Sequence, residues 1–151
     1  MTIREVNIAE QYAAALPLLR ENWQETGFGF EFAPDLARYA AMQAAGCLIA
    51  LGAFDDAGAM IGYCTAVVTG HAFNPAVRVC SSDGLFMRHD CRGGFISNKL
   101  MLEVERIARE NYGAQFMAWH TRAGTPVAVM MLAHGYEAAD TVVLKRLEAL
   151  H

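Results

Sequence analysis

The segment Leu85–Ala108, LFMRHDCRGGFISNKLMLEVERIA, restricts the possible folds of this chain more than any other. It reads as a strand, a polar loop and a long helix. Val77–Met87 has strand character, with a bulge expected near Ser81–Gly84, where the apolar pattern is interrupted. Arg88–Gly94 is a polar loop containing adjacent glycines. Phe95–Tyr112 places Ile96, Leu100, Leu102, Val104, Ile107 and Ala108 on one broad face, with Glu103, Glu105, Arg106, Arg109 and Glu110 on the polar side. Gly113 stops it.

The remaining elements fit around this unit. Thr2–Val6 alternates and predicts a short strand. Ile8–Glu21 has Tyr12, Leu16 and Leu19 near helical spacing, and Pro17 predicts a kink or a split there. Asn22–Pro34, NWQETGFGFEFAP, is rich in glycine and aromatics and reads as an ordered loop. Asp35 caps a helix over Leu36–Ala45, which Gly46 ends. Cys47–Phe54, a turn at Asp55–Gly58 and Ala59–Thr69 form a hairpin. Gly70–Pro75 breaks the pattern. After Gly113 come a strand over Ala114–His120, a turn at Arg122–Thr125, a helix from Pro126 to about His134 ended by Gly135, and a final strand over Tyr136–Leu147. The order β-α-α-β-β-β-α-β-α-β is that of a mixed α/β domain. With 151 residues and no repeat or linker, one domain spanning 1–151 is expected, and 54% hydrophobic residues suffice for its core.

Charge and cysteines narrow the function. A net charge of −4 argues against a nucleic-acid partner, which selects clustered Lys and Arg. No run reaches the roughly 18 apolar residues of a membrane span, so no membrane partner is expected. The charged start MTIREVNIAE lacks a signal-peptide pattern. Cys47, Cys64, Cys80 and Cys91 form no C-x-x-C pair and have no His at zinc spacing, so no metal site is expected. Free thiols fit a reduced, cytoplasmic setting.

The loop carries the chemical signal. Gly93 and Gly94 allow a tight turn and close approach of the backbone to a ligand. The first amides of the following helix lack internal partners and, with the helix dipole, favour an anion. Arg92 adds a guanidinium that can fork onto phosphate oxygens. A phosphate or diphosphate ligand is expected. The absence of a G-K-[ST] ending disfavours a P-loop, and the absence of an early G-x-G-x-x-G disfavours a dinucleotide fold.

The element order, the loop RGGFIS opening the third helix and the ending HGYEAADTVVLKRL together resemble the GNAT superfamily of N-acetyltransferases over nearly the whole chain. SSDGLFM, AWHTRAGTP and the GY pair are similar to small acetyltransferases encoded by bacteriophages and their hosts. The resemblance implies a GNAT-like, mostly antiparallel mixed sheet and transfer of an acetyl group from acetyl-CoA to an amine on a small molecule or protein. It implies that Arg92, Gly93, Gly94, Phe95, Ile96 and Ser97 wrap the cofactor diphosphate. It further implies that backbone groups of Phe86 and Met87 pair with the pantetheine arm in the gap between diverging strands. Two positions depart from the family pattern: Phe95 stands where Gly is usual, and Ser97 where Gly or Ala is usual.

Amine acetylation needs a base for the amine proton and a donor for the oxyanion and leaving thiolate. Asp83 is the first candidate base, at a position where the family often carries an acid; the alternative is a bulge or turn carboxylate. His120, at a strand end, is a base, an acceptor contact or a structural residue. The Tyr that often serves as acid in the family is replaced by Met131. The resemblance places the acceptor against the Trp23–Phe32 loop, where Trp23, Phe28, Phe30 and Phe32 line a pocket and Glu25 and Glu31 attract a cation; core packing of those aromatics is the alternative. Phe95 and Met131 also keep open a catalytically silent GNAT fold that binds acyl-CoA or a protein. The final strand and the hairpin offer edges for a homodimer.

Overall fold

The computed structural model describes Met1–Leu147. Contacts divide the chain into two compact units, Met1–Trp119 and a second that begins at His120. The first unit holds β1 (Thr2–Glu5), α1 (Ile8–Thr26), α2 (Leu36–Ala44), β2 (Leu48–Phe54), β3 (Met60–His71), β4 (Asn74–Met87), a short 3₁₀ turn (His89–Cys91), α3 (Phe95–Tyr112) and β5 (Phe116–Ala118). The second holds α4 (Pro126–Ala133).

The strands form one sheet in the order β1-β2-β3-β4-β5. Each pair from β1 to β4 is antiparallel, and β4 and β5 are parallel. This is the mixed, mostly antiparallel GNAT-like sheet expected.

Each face of the sheet has its own helices. On one, α3 buries Ile96, Leu100, Val104, Ile107 and Ala108 against Ile49, Leu51, Ala53, Cys64, Ala66, Val68, Cys80 and Met87. On the other, Leu18 of α1 joins Phe54, Met60, Tyr63 and Phe86. The α3 face differs from the sequence reading at two adjacent positions. Met101 is buried and Leu102 is half exposed, because 100° per residue carries Leu102 round to the side away from Leu100.

The helix bounds follow their caps. Asn7 Oδ1 accepts from the Glu10 amide, and Asp35 Oδ1 from the Arg38 amide. α1 runs through Pro17 as one helix to Thr26, where Gly27 at φ +67° closes it. The split expected at Pro17 is absent, and Asn22–Thr26, read as loop, is helical. A proline removes one amide donor, and packing of the helix tolerates that loss. The break expected at Gly70–Pro75 is instead a tight connection: β3 continues to His71, which pairs with Asn74.

The last strand of the expected order, over Tyr136–Leu147, is not formed among the described residues. Val142, Val143, Leu144 and Leu147 are 70% to 95% exposed. Alternation alone does not make a strand, because backbone groups need a partner ladder, and no described strand supplies one.

Candidate active site

The site grows from the way β5 parts from β4. β5 pairs with it only at Val79, Cys80 and Ser81 and ends at Ala118. From Ser82 to Met87, β4 keeps β3 on one side and, among the described residues, has no strand partner on the other. At the same place its register slips: Ser82 pairs with Ala66 and Gly84 with Thr65, so Asp83 is the extra residue of a bulge.

The bulge gathers polar groups from three elements. The Tyr39 hydroxyl, on α2, donates to Asp83 Oδ2 at 2.6 Å, and the Thr65 hydroxyl, on β3, donates to the same oxygen at 3.0 Å. Burial, and then the Asp83 hydrogen bond, push the Tyr39 hydroxyl well above its ordinary range, so it remains a donor. Nearby, the buried Tyr63 hydroxyl accepts from Asn22 Nδ2 at 2.7 Å, and burial pushes it up to about 12.

At the end of β4 the chain turns through His89–Cys91 into the loop. Gly93 has φ +74°, the left-handed region, and a Cβ built there would meet nothing within 4 Å. Gly94 caps α3, and no side chain caps the first turn. The α3 amides therefore end in an uncapped N-terminus behind a glycine turn, the arrangement that favours an anion. Ile96 is buried in the core and leaves only its backbone to the loop, while Ser97 is half-buried. Phe95 is 72% exposed with the Lys99 ammonium 4.9 Å from its ring centroid, so its bulk does not fill the turn.

Arg92 is committed within the protein. Its Nε donates to the Met87 carbonyl at 2.7 Å, and Nη2 donates to both Glu25 carboxylate oxygens at 2.8 Å. The guanidinium lies 5.0 Å from the Phe86 ring centroid. Glu25 sits in the last turn of α1, which has no basic residue. A carboxylate there opposes the helix dipole, and Arg92 offsets that.

Glu25, assigned from sequence to the acceptor, is thus joined to Phe86, Met87 and Arg92, assigned to the cofactor. Trp23 and Phe32 meet at 5.9 Å, and Phe28 stacks on Phe30 at 4.9 Å. Trp23 Nε1 is buried with no hydrogen-bond partner among the described residues. Glu31 is exposed. His120 opens the second unit, and Met131 lies on α4 within it. Sequence reasoning missed Tyr39, Thr65, Tyr63 and Asn22. Only the break in the pattern at Ser81–Gly84 pointed toward them, since Tyr39 meets Asp83 from 44 residues away.

Among the described residues, no helix is long and apolar enough to cross a membrane. A model of the acetyltransferase (GNAT) family matches residues 12–136. No curated protein matches the chain. Solved structures match along nearly its whole length. Ribosomal-protein-alanine N-acetyltransferase from Brucella melitensis biovar Abortus 2308 aligns at TM-score 0.72 and 19% identity, covering 97% of this chain and 100% of its own. AAC(6')-Iy in complex with the bisubstrate analogue CoA-S-monomethyl-acetylneamine aligns at TM-score 0.74 and 22% identity, covering 98% of each chain. Glucosamine-6-phosphate N-acetyltransferase from Arabidopsis thaliana aligns at TM-score 0.76 and 10% identity, covering 97% of this chain and 98% of its own. At these identities the likeness is one of fold.

Proposed function

The chain belongs to the acetyltransferase (GNAT) family, and on that premise we propose that it moves the acetyl group of acetyl-CoA to a primary amine at the Asp83 bulge. The observation that carries this reading is the uncapped N-terminus of α3, set behind the left-handed Gly93 and beside the end of β4 that lacks a second strand partner among the described residues. Enzymes of this family use acetyl-CoA, and AAC(6')-Iy is bound to a CoA bisubstrate analogue. The residues here fit such a ligand. The loop amides of Gly93–Ser97 and the Arg92 guanidinium suit a diphosphate, and the free edge of β4 at Phe86 and Met87 suits an extended amide-bearing arm.

When bound, acetyl-CoA supplies a carbonyl activated as a thioester. Asp83 takes the proton that the amine sheds as the nitrogen–carbon bond forms and the carbon–sulfur bond breaks. Met131 holds the position where the family usually carries a Tyr acid. Solvent protonates the thiolate instead; with a pKa of about 8.5, a thiolate leaves without strong acid help. The acceptor is an amine brought against the α1 end and the Phe28–Phe30 stack, with Glu25 and Glu31 favouring a cationic molecule.

Calorimetry with CoA and acetyl-CoA, followed by thiol release over a panel of amines, tests this. Ligand at a hundred times Kd is expected to stabilise the fold by about 2.7 kcal/mol. Arg92→Ala is expected to weaken CoA binding more than Asp83→Ala. Failure of the wild type to bind either ligand sinks the reading. Binding without thiol release returns the chain to a silent member of the family.

A further inference from the structure

Three elements that are distant in sequence converge on one carboxylate oxygen. Asp83 stands out of the β4 register on a bulge; Thr65 reaches it from β3 and Tyr39 from α2. Both hydroxyls donate to Oδ2, and Oδ1 receives no hydrogen bond among the described residues. No Lys or Arg forms an ion pair with Asp83 among them, so its charge is not committed to a cation.

The seat of α2 does not depend on this contact. Gln43, near its C-terminal end, donates through Nε2 to the Val6 carbonyl at 2.7 Å and accepts at Oε1 from the Ile8 amide at 2.9 Å. The Asp35 cap fixes the other end of α2. A Phe at position 39 would keep the ring, so the hydroxyl is the feature that needs a reason. Gly84 strengthens the case. A Cβ there would lie 3.2 Å from Thr65 Oγ1 and 3.3 Å from the Tyr63 ring, so the bulge keeps the space in which Thr65 holds Asp83.

We propose that Tyr39 is a positioning residue for acyl transfer: its hydroxyl, with that of Thr65, locks Asp83 through Oδ2 and reserves Oδ1 for the amine proton. This rests on the reading of Asp83 as base. Two donors on one oxygen fix the carboxylate plane, and a base held within hydrogen-bond reach in one orientation avoids the cost of finding it during each turnover. Tyr39 acts through Asp83 and not on the substrate itself.

The test is a double-mutant cycle on thiol release from acetyl-CoA, with spermidine, glucosamine and peptides carrying a free N-terminus or Lys as acceptors, and acetyl-CoA binding measured in parallel. Tyr39→Phe is expected to lower kcat roughly tenfold, the loss of a hydrogen bond to a charged group, with KM for acetyl-CoA within about twofold of wild type. Asp83→Asn is expected to lower kcat by roughly a hundredfold or more. In the Asp83→Asn background, Tyr39→Phe should cost less than about twofold, because the group it acts through is gone. Thr65→Val, which removes the second donor from β3, should give a smaller loss with the same dependence, and it carries the test if Tyr39→Phe does not fold. Unchanged kcat in Tyr39→Phe, or the same loss in both backgrounds, overturns the proposal. So does a wild type that binds acetyl-CoA but acylates none of the amines. Absence of acetyl-CoA binding defeats the transferase reading itself.

Discussion

Glu25→Gln is expected to tighten CoA binding. In this structure the carboxylate of Glu25 takes both of its hydrogen bonds from Arg92 Nη2, with the two side chains 37% and 42% exposed. If Arg92 turns to a diphosphate, that pair must break, and its strength is lost from the binding energy. A pair this exposed is worth about 0.2–1 kcal/mol, and both contacts come from the single nitrogen Nη2 because Nε is held by the Met87 carbonyl. Glutamine keeps the shape and one acceptor but removes the charge. The expected gain is therefore up to about 1 kcal/mol, or up to about fivefold in Kd. Loss of a negative charge beside an anionic ligand acts in the same direction. Calorimetry with CoA at low and high salt measures it, and the difference between variant and wild type should shrink as salt rises. Glu31→Gln is the control, since Glu31 makes no ion pair among the described residues and carries the same charge change. An unchanged or weaker Kd in Glu25→Gln refutes the reasoning. It would mean that Glu25 stays on Arg92 in the bound state and that the diphosphate is held without the guanidinium.

Gly84→Ala should lower turnover while leaving acetyl-CoA affinity unchanged, because its Cβ crowds Thr65 Oγ1 at 3.2 Å and disturbs the hold on Asp83 without touching the α3 turn; steady-state kinetics with direct binding separates the two. Gly93→Ala meets no neighbour within 4 Å but stands at φ +74°, so strain alone costs roughly 1–2 kcal/mol, a fall of roughly 2–8 °C in Tm, with CoA binding weakened as the turn opens. Cys64 and Cys80 are buried, with thiols pushed up by burial to about 12 and about 11. A thiol titration of the native protein at pH 8 should read Cys47 and Cys91 quickly and the buried pair only on unfolding. Those raised values also set a pH window: below about pH 9 both states keep their protons, and above it the unfolded chain sheds protons that the fold retains. Unfolding free energies from denaturant titrations should therefore fall as pH rises from about 9 to 11, by up to about 1.4 kcal/mol per pH unit for each thiol. A flat profile would place water at those sulfurs.

The sequence made some of this legible and hid the rest, for identifiable reasons. α3 was readable to its bounds because amphipathic spacing and Gly113 agree, and Gly113 takes the left-handed C-cap at φ +67°. Leu100, Met101 and Leu102 are all apolar, so only the packed helix tells which two turn inward. The end of α1 is hidden in the sequence because the aromatics and glycines after Asn22 have loop character, although Gly27 alone is the helix stop. The loop proposed for the diphosphate was visible from local chain chemistry: glycines, a helix start and an arginine. Its arginine's partner was not, because Glu25 lies 67 residues away. The Tyr39–Asp83 contact had no local trace for the same reason. Tyr136–Leu147 shows the limit from the other side, since its pattern has strand character but pairing is a property of two segments.

The bulge at Asp83 links the core to the chemistry proposed for it. In a regular strand, residues an odd number apart face opposite ways. Yet Cys80 and Met87, seven apart, both pack toward α3, and Phe86 faces the α1 side with Tyr63. One extra residue between them makes this possible, and the register puts it at Asp83. Without it, the pattern that buries Cys80 would send Met87 to the α1 side and Phe86 under α3. The insertion therefore lets both ends of β4 fill their layers. It also leaves the polar side chain of Asp83 on the same face as Thr65, within reach of Tyr39 on α2. The broken apolar pattern at Ser81–Gly84 is the trace of that change of face. Core packing and the placement of the carboxylate thus impose the same requirement on β4, and a change that regularised the strand would disturb both.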